Sequence, residues 1–170
     1  MDTASNFAAE PAAAEVSRRR WMSVLAKAET AELESAWDDL PEKPAYGWLR
    51  QPEIGMVMVR ARAGGTGGRF NLGQMTVTRC ALRLLESGAD GDTEVGIVGL
   101  GYVQGRSKRH AELAAVFDAL LQDEARRGML EGRVIAPLEA AHAERRDARS
   151  RKANSTKVNF FTLVRGENDK

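Results

Sequence analysis

The chain has 170 residues, of which 43% are hydrophobic and 29% are charged, a composition typical of one soluble domain with a sizeable core. With 25 basic against 24 acidic residues, its net charge of +1 argues against nucleic acid or an anionic membrane as a partner. The single cysteine, Cys80, excludes a disulfide framework, a cysteine-based zinc site and a self-contained iron–sulfur cluster, and we expect no metal site in this chain.

The amino-terminal stretch, residues 1–16, is rich in alanine and lacks helical periodicity. It is predicted to be a mobile extension that precedes a single domain over residues 17–170. Asp2 and Glu10 stand where a secretory signal would need a basic region and an apolar run. No stretch approaches the roughly 18 apolar residues of a transmembrane helix. We therefore expect a cytoplasmic protein that does not contact a membrane.

Two short helices are predicted next, because two apolar stripes at helical spacing follow one another from Ser17. Thr30 lies between the stripes, where its hydroxyl could cap the second helix, and Pro41 and Pro44 end the region. The stripes are Trp21, Val24, Leu25 and Ala28 in the first helix and Leu33, Ala36, Trp37 and Leu40 in the second.

Three strands are predicted after these helices. The segments are 54–63, 75–85 and 93–103. The first two alternate between two faces, and the third is apolar on both faces, which is typical of an internal strand. Gly96, Gly99 and Gly101 would weaken the third strand in isolation, so they predict the close approach of another backbone or of a ligand.

Two helices and a fourth strand complete the predicted order. A broad apolar face predicts the longest helix, from Ser107 to about Arg127, and Gly128 is expected to stop it. Pro137 sits where a first helical turn tolerates proline, which predicts a charged helix to about Lys152. The last strand is predicted at 157–165. Because short turns join successive strands, we expect an α+β fold with a mainly antiparallel four-stranded sheet covered by helices.

The glycine-rich segment at 64–69, GGTGGR, lies between the first two strands and is the first candidate site. It fails the Walker pattern, because Arg69 and Phe70 stand where lysine and serine or threonine are needed, and the dinucleotide fingerprint would need glycine at position 70. A weaker interpretation stays open, in which glycine N–H groups bind an anion and Arg69 adds a bidentate contact. The alternatives are a mobile hairpin connection, or a loop that becomes ordered only against a partner.

The second candidate site is the helix start in YVQGRSKRHAE, residues 102–112. A helix N-terminus favours anions, and the cations Arg106 and Lys108 are unfavourable there unless an anion or carboxylate offsets them. The alternative is that Ser107 caps the helix and the basic residues are simply hydrated. His110 could donate to a phosphate or act as a general acid, although a lone histidine is more often structural. Because it is two residues from Glu112, the two point in different directions and form no prearranged dyad.

Six strings occur in a distinctive order and spacing. They are RWMSVLA at 20–26, GGTGGRF at 64–70, TVTRCALRL at 76–84, GYVQGRSKRHAE at 101–112, IAPL at 135–138 and VNFFTLVRGEN at 158–168. Together they resemble the G subunit (PhnG) family of the bacterial carbon–phosphorus lyase system for phosphonate use. The resemblance runs from about Arg18 to Asp169, so residues 17–170 are predicted to be one PhnG-like domain.

The resemblance implies an accessory subunit of a complex with the H, I and J subunits and the ATP-cassette-type L subunit. It associates the G, H and I subunits, together with L, with a transferase step in which an alkylphosphonate displaces adenine from ATP, giving ribose 1-alkylphosphonate 5-triphosphate. The I subunit is the implied seat of the nucleosidase-type chemistry, and the J subunit that of the later radical carbon–phosphorus cleavage. This chain would bind no cofactor of its own, and ATP would be a substrate of the complex.

No catalytic residue carries over from the resemblance, and His110 is the one catalytic candidate. The candidate anion or phosphate contacts are Gly64, Gly65, Thr66, Gly67, Arg69, Arg79, Arg106 and Lys108. Two hypotheses stay open. In the first, the basic loops of a working transferase subunit contact triphosphate or phosphonate at a shared site. In the second, the same loops are interface elements of a structural subunit that stabilises the I subunit and contacts no substrate.

Overall fold

The computed structural model describes residues 6–87 and 93–156, and over these ranges the chain is an α+β protein with helices packed on an antiparallel sheet. Two helices come first, three strands follow, and further helices come after the strands. The elements are α1 (Asn6–Lys27), α2 (Thr30–Asp38), β1 (Tyr46–Arg62), β2 (Arg69–Ser87), β3 (Thr93–Gln104), α3 (Lys108–Gln122), α4 (Glu124–Leu130) and α5 (Ala136–Ser155), with a 3₁₀ turn at Ala63–Gly65 and a π-helical turn at Glu131–Ile135.

The first two helices are separate, as predicted, but both boundaries need correction. α1 begins at Asn6 rather than Ser17, because alanine has the highest helix propensity and can extend a helix without an amphipathic stripe. Residues 6–16 of α1 therefore lie in the stretch assigned to a mobile extension, whose mobility stays a prediction. α2 is preceded by Glu29 as its N-cap, where Thr30 was predicted. The Glu29 N–H donates to Glu32 Oε2 over 2.9 Å in a capping box.

The strands pair in the order β1-β2-β3, and both pairs are antiparallel. β1 and β2 are longer than predicted, so the connection between them shrinks to residues 63–68. The pairing of β2 with β3 begins at Val77, opposite Gln104. The predicted fourth strand, residues 157–165, lies outside the described residues. The described part of the sheet therefore has three strands with β2 in the centre, and whether β3 is internal stays a prediction.

The glycines of β3 let α3 lie directly on the sheet. A Cβ atom added at Gly99 would stand 1.9 Å from the carbonyl oxygen of Ala115, and one at Gly101 would stand 2.0 Å from that of Ala111. No side chain fits at such distances, so the helix backbone occupies the space that side chains would need. The predicted close approach of another backbone is confirmed at these two positions.

α3 is shorter than predicted, because the chain bends at Asp123 and not at Gly128. Asp123 has extended backbone angles, φ −75° and ψ 117°, and its side chain accepts a hydrogen bond from the Ala125 N–H over 2.9 Å. An aspartate that satisfies a free N–H in this way favours a new helix start. Gly128 lies inside α4. Pro137 stands in the first turn of α5, as predicted.

The core lies between α3 and one face of the sheet, with α1 and α2 packed beside them. Asp118, in the middle of α3, is fully buried. Its carboxylate accepts hydrogen bonds from the Trp21 indole, the Arg18 guanidinium and the Leu100 N–H, with distances between 2.8 and 3.2 Å. A buried charge is tolerated when hydrogen bonds and an opposite charge compensate it. This one carboxylate therefore joins α1, α3 and β3.

Candidate functional site

The glycine-rich segment forms the tip of the β1–β2 hairpin. Gly64 and Gly65 have φ angles of 57° and 82°, in the left-handed region that favours glycine. The Gly67 N–H donates to the Ala63 carbonyl over 2.8 Å, and Arg62 donates to the Gly67 carbonyl over 3.2 Å. The segment is therefore a hairpin connection held by its own hydrogen bonds, and at least one of the N–H groups proposed for an anion is already used.

Below this tip, the hairpin extends as a two-stranded ribbon. Because β3 pairs with β2 only from Val77 onwards, residues 56–76 pair between β1 and β2 alone. We call this segment the hairpin arm. It exposes four large apolar side chains: Met56 (69%), Met58 (49%), Phe70 (46%) and Leu72 (65%). Contiguous exposed apolar surface outside the core is typical of sites that interact with another molecule.

Arg79, at the base of the arm, is already paired. Its Nε donates to Glu53 Oε1 over 2.6 Å across the strands, and Arg50 contacts the same oxygen at 3.1 Å. The hydrogen bond from Arg79 lowers the pKa of Glu53 below its ordinary value. Of the predicted contacts, Gly64, Gly65, Thr66, Gly67 and Arg69 lie together at the tip, and Arg79 lies apart from them.

The start of α3 has the capped form that was the alternative to an anion site. Gly105 turns the chain with a φ of 97°, and Ser107 Oγ accepts a hydrogen bond from the His110 N–H over 3.1 Å. Arg106 and Lys108 are exposed, and neither forms a side-chain hydrogen bond or ion pair within residues 6–87 and 93–156. Their exposure at the helix start agrees with the interpretation that these two cations are hydrated.

His110 is a buried link between two helices. It is 7% exposed, and its Nε2 lies 2.8 Å from the carbonyl oxygen of Leu25 in α1. A carbonyl oxygen can only accept, so Nε2 carries the proton and donates it. Glu112 points elsewhere, as predicted, and accepts a hydrogen bond from Tyr46. Burial and this bond raise the pKa of Tyr46 to about 12.

His110 also lines a cleft that the sequence patterns did not predict. The cleft has a volume of about 360 Å³ and lies between the α1–α2 connection and α5. Its charged and polar lining residues are Lys27, Glu29, Thr30, Gln104, His110, His142, Arg145, Arg146 and Arg149. We call this group the basic cleft, because it carries four cationic side chains and one carboxylate.

A sequence signal for the basic cleft existed. His142, Arg145, Arg146 and Arg149 recur at i, i+3, i+4 and i+7, which places them on one face of α5. By sequence alone, the basic run from Arg145 to Lys152 is typical of a solvated helix face. Only the packing of α5 against the α1–α2 connection brings part of that face into a cleft.

Arg145 is the best-defined cation of the cleft. Its Nη1 donates to Glu32 Oε1 over 2.5 Å, and this hydrogen bond lowers the pKa of Glu32. Its Nη2 is buried and has no hydrogen-bond partner among the described residues. A buried donor without an acceptor is unfavourable. The guanidinium is therefore held by one nitrogen while another stays available to an acceptor.

A larger cleft, of about 690 Å³, lies elsewhere, between residues 40–45 and α4. Its charged lining residues are Glu42, Lys43 and Arg126, and its lining contains no histidine or cysteine. It therefore has fewer side chains that can bind an anion or transfer a proton than the basic cleft has. Within the described ranges, no cluster of three or more metal-ligating side chains occurs. None of the helices described there is long and apolar enough to cross a membrane.

Comparisons with known proteins agree with the family suggested by the six strings. Residues 16–166 match the sequence model of a family described as "Phosphonate metabolism protein PhnG". A protein of Rhizobium meliloti (strain 1021), named alpha-D-ribose 1-methylphosphonate 5-triphosphate synthase subunit PhnG, is 44% identical over 153 residues. That alignment covers 88% of this chain and 90% of the relative.

Proposed function

The chain belongs to the PhnG family of phosphonate metabolism proteins, and from this premise we propose that it is an accessory subunit of an alpha-D-ribose 1-methylphosphonate 5-triphosphate synthase. The observation that carries the proposal is the 44% identity to a subunit of that name, over nearly the full length of both chains. The family membership confirms the resemblance predicted from the six strings. Its partners would be the H, I and J subunits and the ATP-cassette-type L subunit, and the complex would use ATP as a substrate.

In the proposed reaction, an oxygen of the alkylphosphonate attacks C1′ of the ATP ribose. The bond between C1′ and the adenine nitrogen breaks, its electron pair stays on adenine, and adenine takes up a proton. A dissociating base and an attacking phosphonate need positioning and charge stabilisation. His110 is poorly placed for the proton transfer, because its Nε2 proton is donated to the Leu25 carbonyl. We therefore assign this chain a role in assembly and binding and leave the bond-breaking step to its partners.

The hairpin arm supports a role in assembly. Its exposed apolar side chains lie outside the core, where they contribute little to the folding of this chain alone. Three arginines lie near the tip of the arm. Arg62 is opposite Arg69 across the two strands, and Arg60 precedes Arg62 by two residues in β1. A partner subunit with an apolar groove bordered by carboxylates would fit this combination of surface.

The proposed function is tested by adenine release from ATP and methylphosphonate in the reconstituted complex. We expect adenine release to require this chain and to be kept by Arg106→Ala/Lys108→Ala, since neither side chain forms a hydrogen bond or ion pair with another described residue. Size-exclusion chromatography controls for assembly. Equal adenine release with and without this chain would contradict the proposal. Loss of turnover in an intact Arg106→Ala/Lys108→Ala complex would show that the start of α3 is part of the active site.

The role of the hairpin arm is tested by a matched pair of single changes. Leu72 in the arm and Val16 in α1 are equally exposed, at 65% and 64%. We expect Leu72→Asp to weaken co-purification with the partner subunits by about tenfold, because an interface anchor is lost, and Val16→Asp to weaken it less than about twofold. Circular dichroism should show both variants folded. Equal behaviour of the two variants would exclude the arm as the main interface.

A further inference from the structure

We propose that the basic cleft binds a triphosphate group, with no part in the bond-breaking step. This inference deepens the proposed function and rests on it for the source of the ligand, the 5′-triphosphate end of the nucleotide substrate or product. The cleft is a distinct place from both sites predicted along the sequence. It shares two residues, Gln104 and His110, with the second of those sites.

The charge of the cleft fits a polyanion. Lys27, Arg146 and Arg149 line it together with Arg145, and Glu29 is the one carboxylate in the lining. Arg145 is paired with Glu32, and Arg146 lies 3.9 Å from the exposed Asp147, so Lys27 and Arg149 are the lining cations without such a pair among the described residues. A cleft lined mainly by cations raises the local concentration of an anionic ligand. A multiply charged anion such as a triphosphate is attracted to this group of cations more strongly than a singly charged anion is.

Arg145 contributes an oriented guanidinium to the lining of the cleft. Glu32 holds one nitrogen of the guanidinium, which fixes its orientation before any ligand binds. The buried Nη2 then needs an acceptor that the described residues do not supply. Phosphate oxygens, like carboxylate oxygens, match the planar donors of arginine, because they can accept two parallel N–H groups.

The position of the cleft adds further donors. The nine-residue helix α2 begins at Thr30, which lines the cleft, so the positive end of its dipole lies beside the cations. Gln104 and His142 are side chains that can donate to oxygen. The volume of about 360 Å³ suits a compact anionic group better than an extended nucleic acid. The chain's net charge of +1 gives no wider basic surface for such a polymer.

The test is calorimetric titration of the full-length chain at constant ionic strength with inorganic tripolyphosphate, ATP and adenosine. We expect tripolyphosphate and ATP to bind with similar affinity and adenosine not to bind. The cleft variant is Lys27→Ala/Arg149→Ala. The matched control, Arg19→Ala/Arg151→Ala, removes two exposed positive charges from the same two helices, α1 and α5, outside the cleft. We expect the cleft variant to lose at least about tenfold in affinity and the control less than about twofold.

Several outcomes would overturn the proposal. They are no binding of tripolyphosphate by the unchanged chain, equal losses in the two double variants, or binding of adenosine as tight as that of ATP. If thermal unfolding shows that the double cleft variant is not folded, the comparison of Arg149→Ala with Arg151→Ala replaces it, with the same expectations. Arg145→Lys keeps the charge but loses the planar geometry, so we expect weaker binding there as well.

These outcomes are separable from a failure of the proposed function. Calorimetry on the single chain needs neither partners nor turnover. Absent binding together with adenine release that still requires this chain would overturn the cleft proposal alone. Binding that depends on the cleft, together with adenine release that does not require this chain, would overturn the proposed function alone.

Discussion

The indole nitrogen of Trp21 donates a hydrogen bond to the fully buried carboxylate of Asp118 over 2.9 Å, joining the first helix of the fold to its central one. Trp21 as a whole is only 3% exposed. Arg18, one turn earlier on α1, supplies the opposite charge through two hydrogen bonds to the same carboxylate. The contact therefore combines apolar packing, a directional bond and an ion pair at one point of the core.

Removal of this carboxylate should be among the most destabilising single changes in the chain. Asp118→Ala leaves the buried Trp21 N–H and the Leu100 N–H without acceptors, at roughly 1–3 kcal/mol for each buried donor. We expect the free energy of unfolding, measured by urea titration, to fall by about 3 kcal/mol. The control Asp147→Ala, on the exposed face of α5, should change it by less than about 0.5 kcal/mol. A small effect of Asp118→Ala would show that water replaces the carboxylate.

The close packing of α3 on β3 predicts a strong effect of one methyl group. Gly99→Ala places a Cβ 1.9 Å from the Ala115 carbonyl oxygen, so the helix must move away from the sheet. We expect a loss of about 3 kcal/mol or more in the free energy of unfolding. At Gly73, in the hairpin arm, an added Cβ meets no atom within 4 Å. Gly73→Ala is therefore the control and should change the melting temperature by no more than a few degrees, because 1 kcal/mol corresponds to roughly 2–4 °C in a chain of this size.

The thiol of Cys80 should be unreactive in the folded chain. It is buried, it lies 3.1 Å from the Ala111 carbonyl, and burial raises its pKa to about 11. Because the thiolate is the reactive species, we expect negligible labelling by a disulfide reagent at pH 8 in native buffer. The same reagent should label one thiol per chain in concentrated urea, which is the internal control. Rapid labelling of the native chain would mean that α3 opens readily from the sheet.

The ion pair between Glu32 and Arg145 predicts an acid-sensitive contribution to stability. Arg145 lowers the pKa of Glu32 in the folded chain, so the stabilising contribution is present above the ordinary value of 4.5 and is lost as the pH falls through the lowered folded value. At pH 7 we expect Glu32→Gln to reduce the free energy of unfolding by about 1 kcal/mol. The difference from the unchanged chain should shrink progressively below pH 4.5.

The control for this prediction lies on the same helix. Glu34 is 3.8 Å from Arg109, and both side chains are more exposed than the Glu32–Arg145 pair. Glu34→Gln should therefore change the free energy of unfolding by less than about 0.5 kcal/mol at either pH. A difference for Glu32→Gln that stays constant from pH 7 to pH 3 would contradict an ionic origin.

Local patterns in the sequence were enough to predict most of the elements. The alternation around Cys80 and Leu82 predicted β2, and Gly99 and Gly101 predicted the close approach of a backbone or a ligand. A cap at Ser107 was one of two interpretations of the start of α3, and the structure contains that cap. These features are readable because each depends on residues a few positions apart. The start of α1 was wrong, because alanine-rich sequence has helix propensity without periodicity.

The sequence by itself therefore determined the α+β class, the two-helix beginning, the strand hairpin and, through strings kept at a characteristic spacing, the family. Only the tertiary structure decided that His110 turns its proton towards Leu25, that Asp118 is the buried centre of three elements, and that the cations of α5 meet Lys27 in one cleft. Those contacts join residues separated by 85 and 97 positions in the first two cases. Periodicity records which face of an element is buried, but the partner of that face depends on how all the elements pack together.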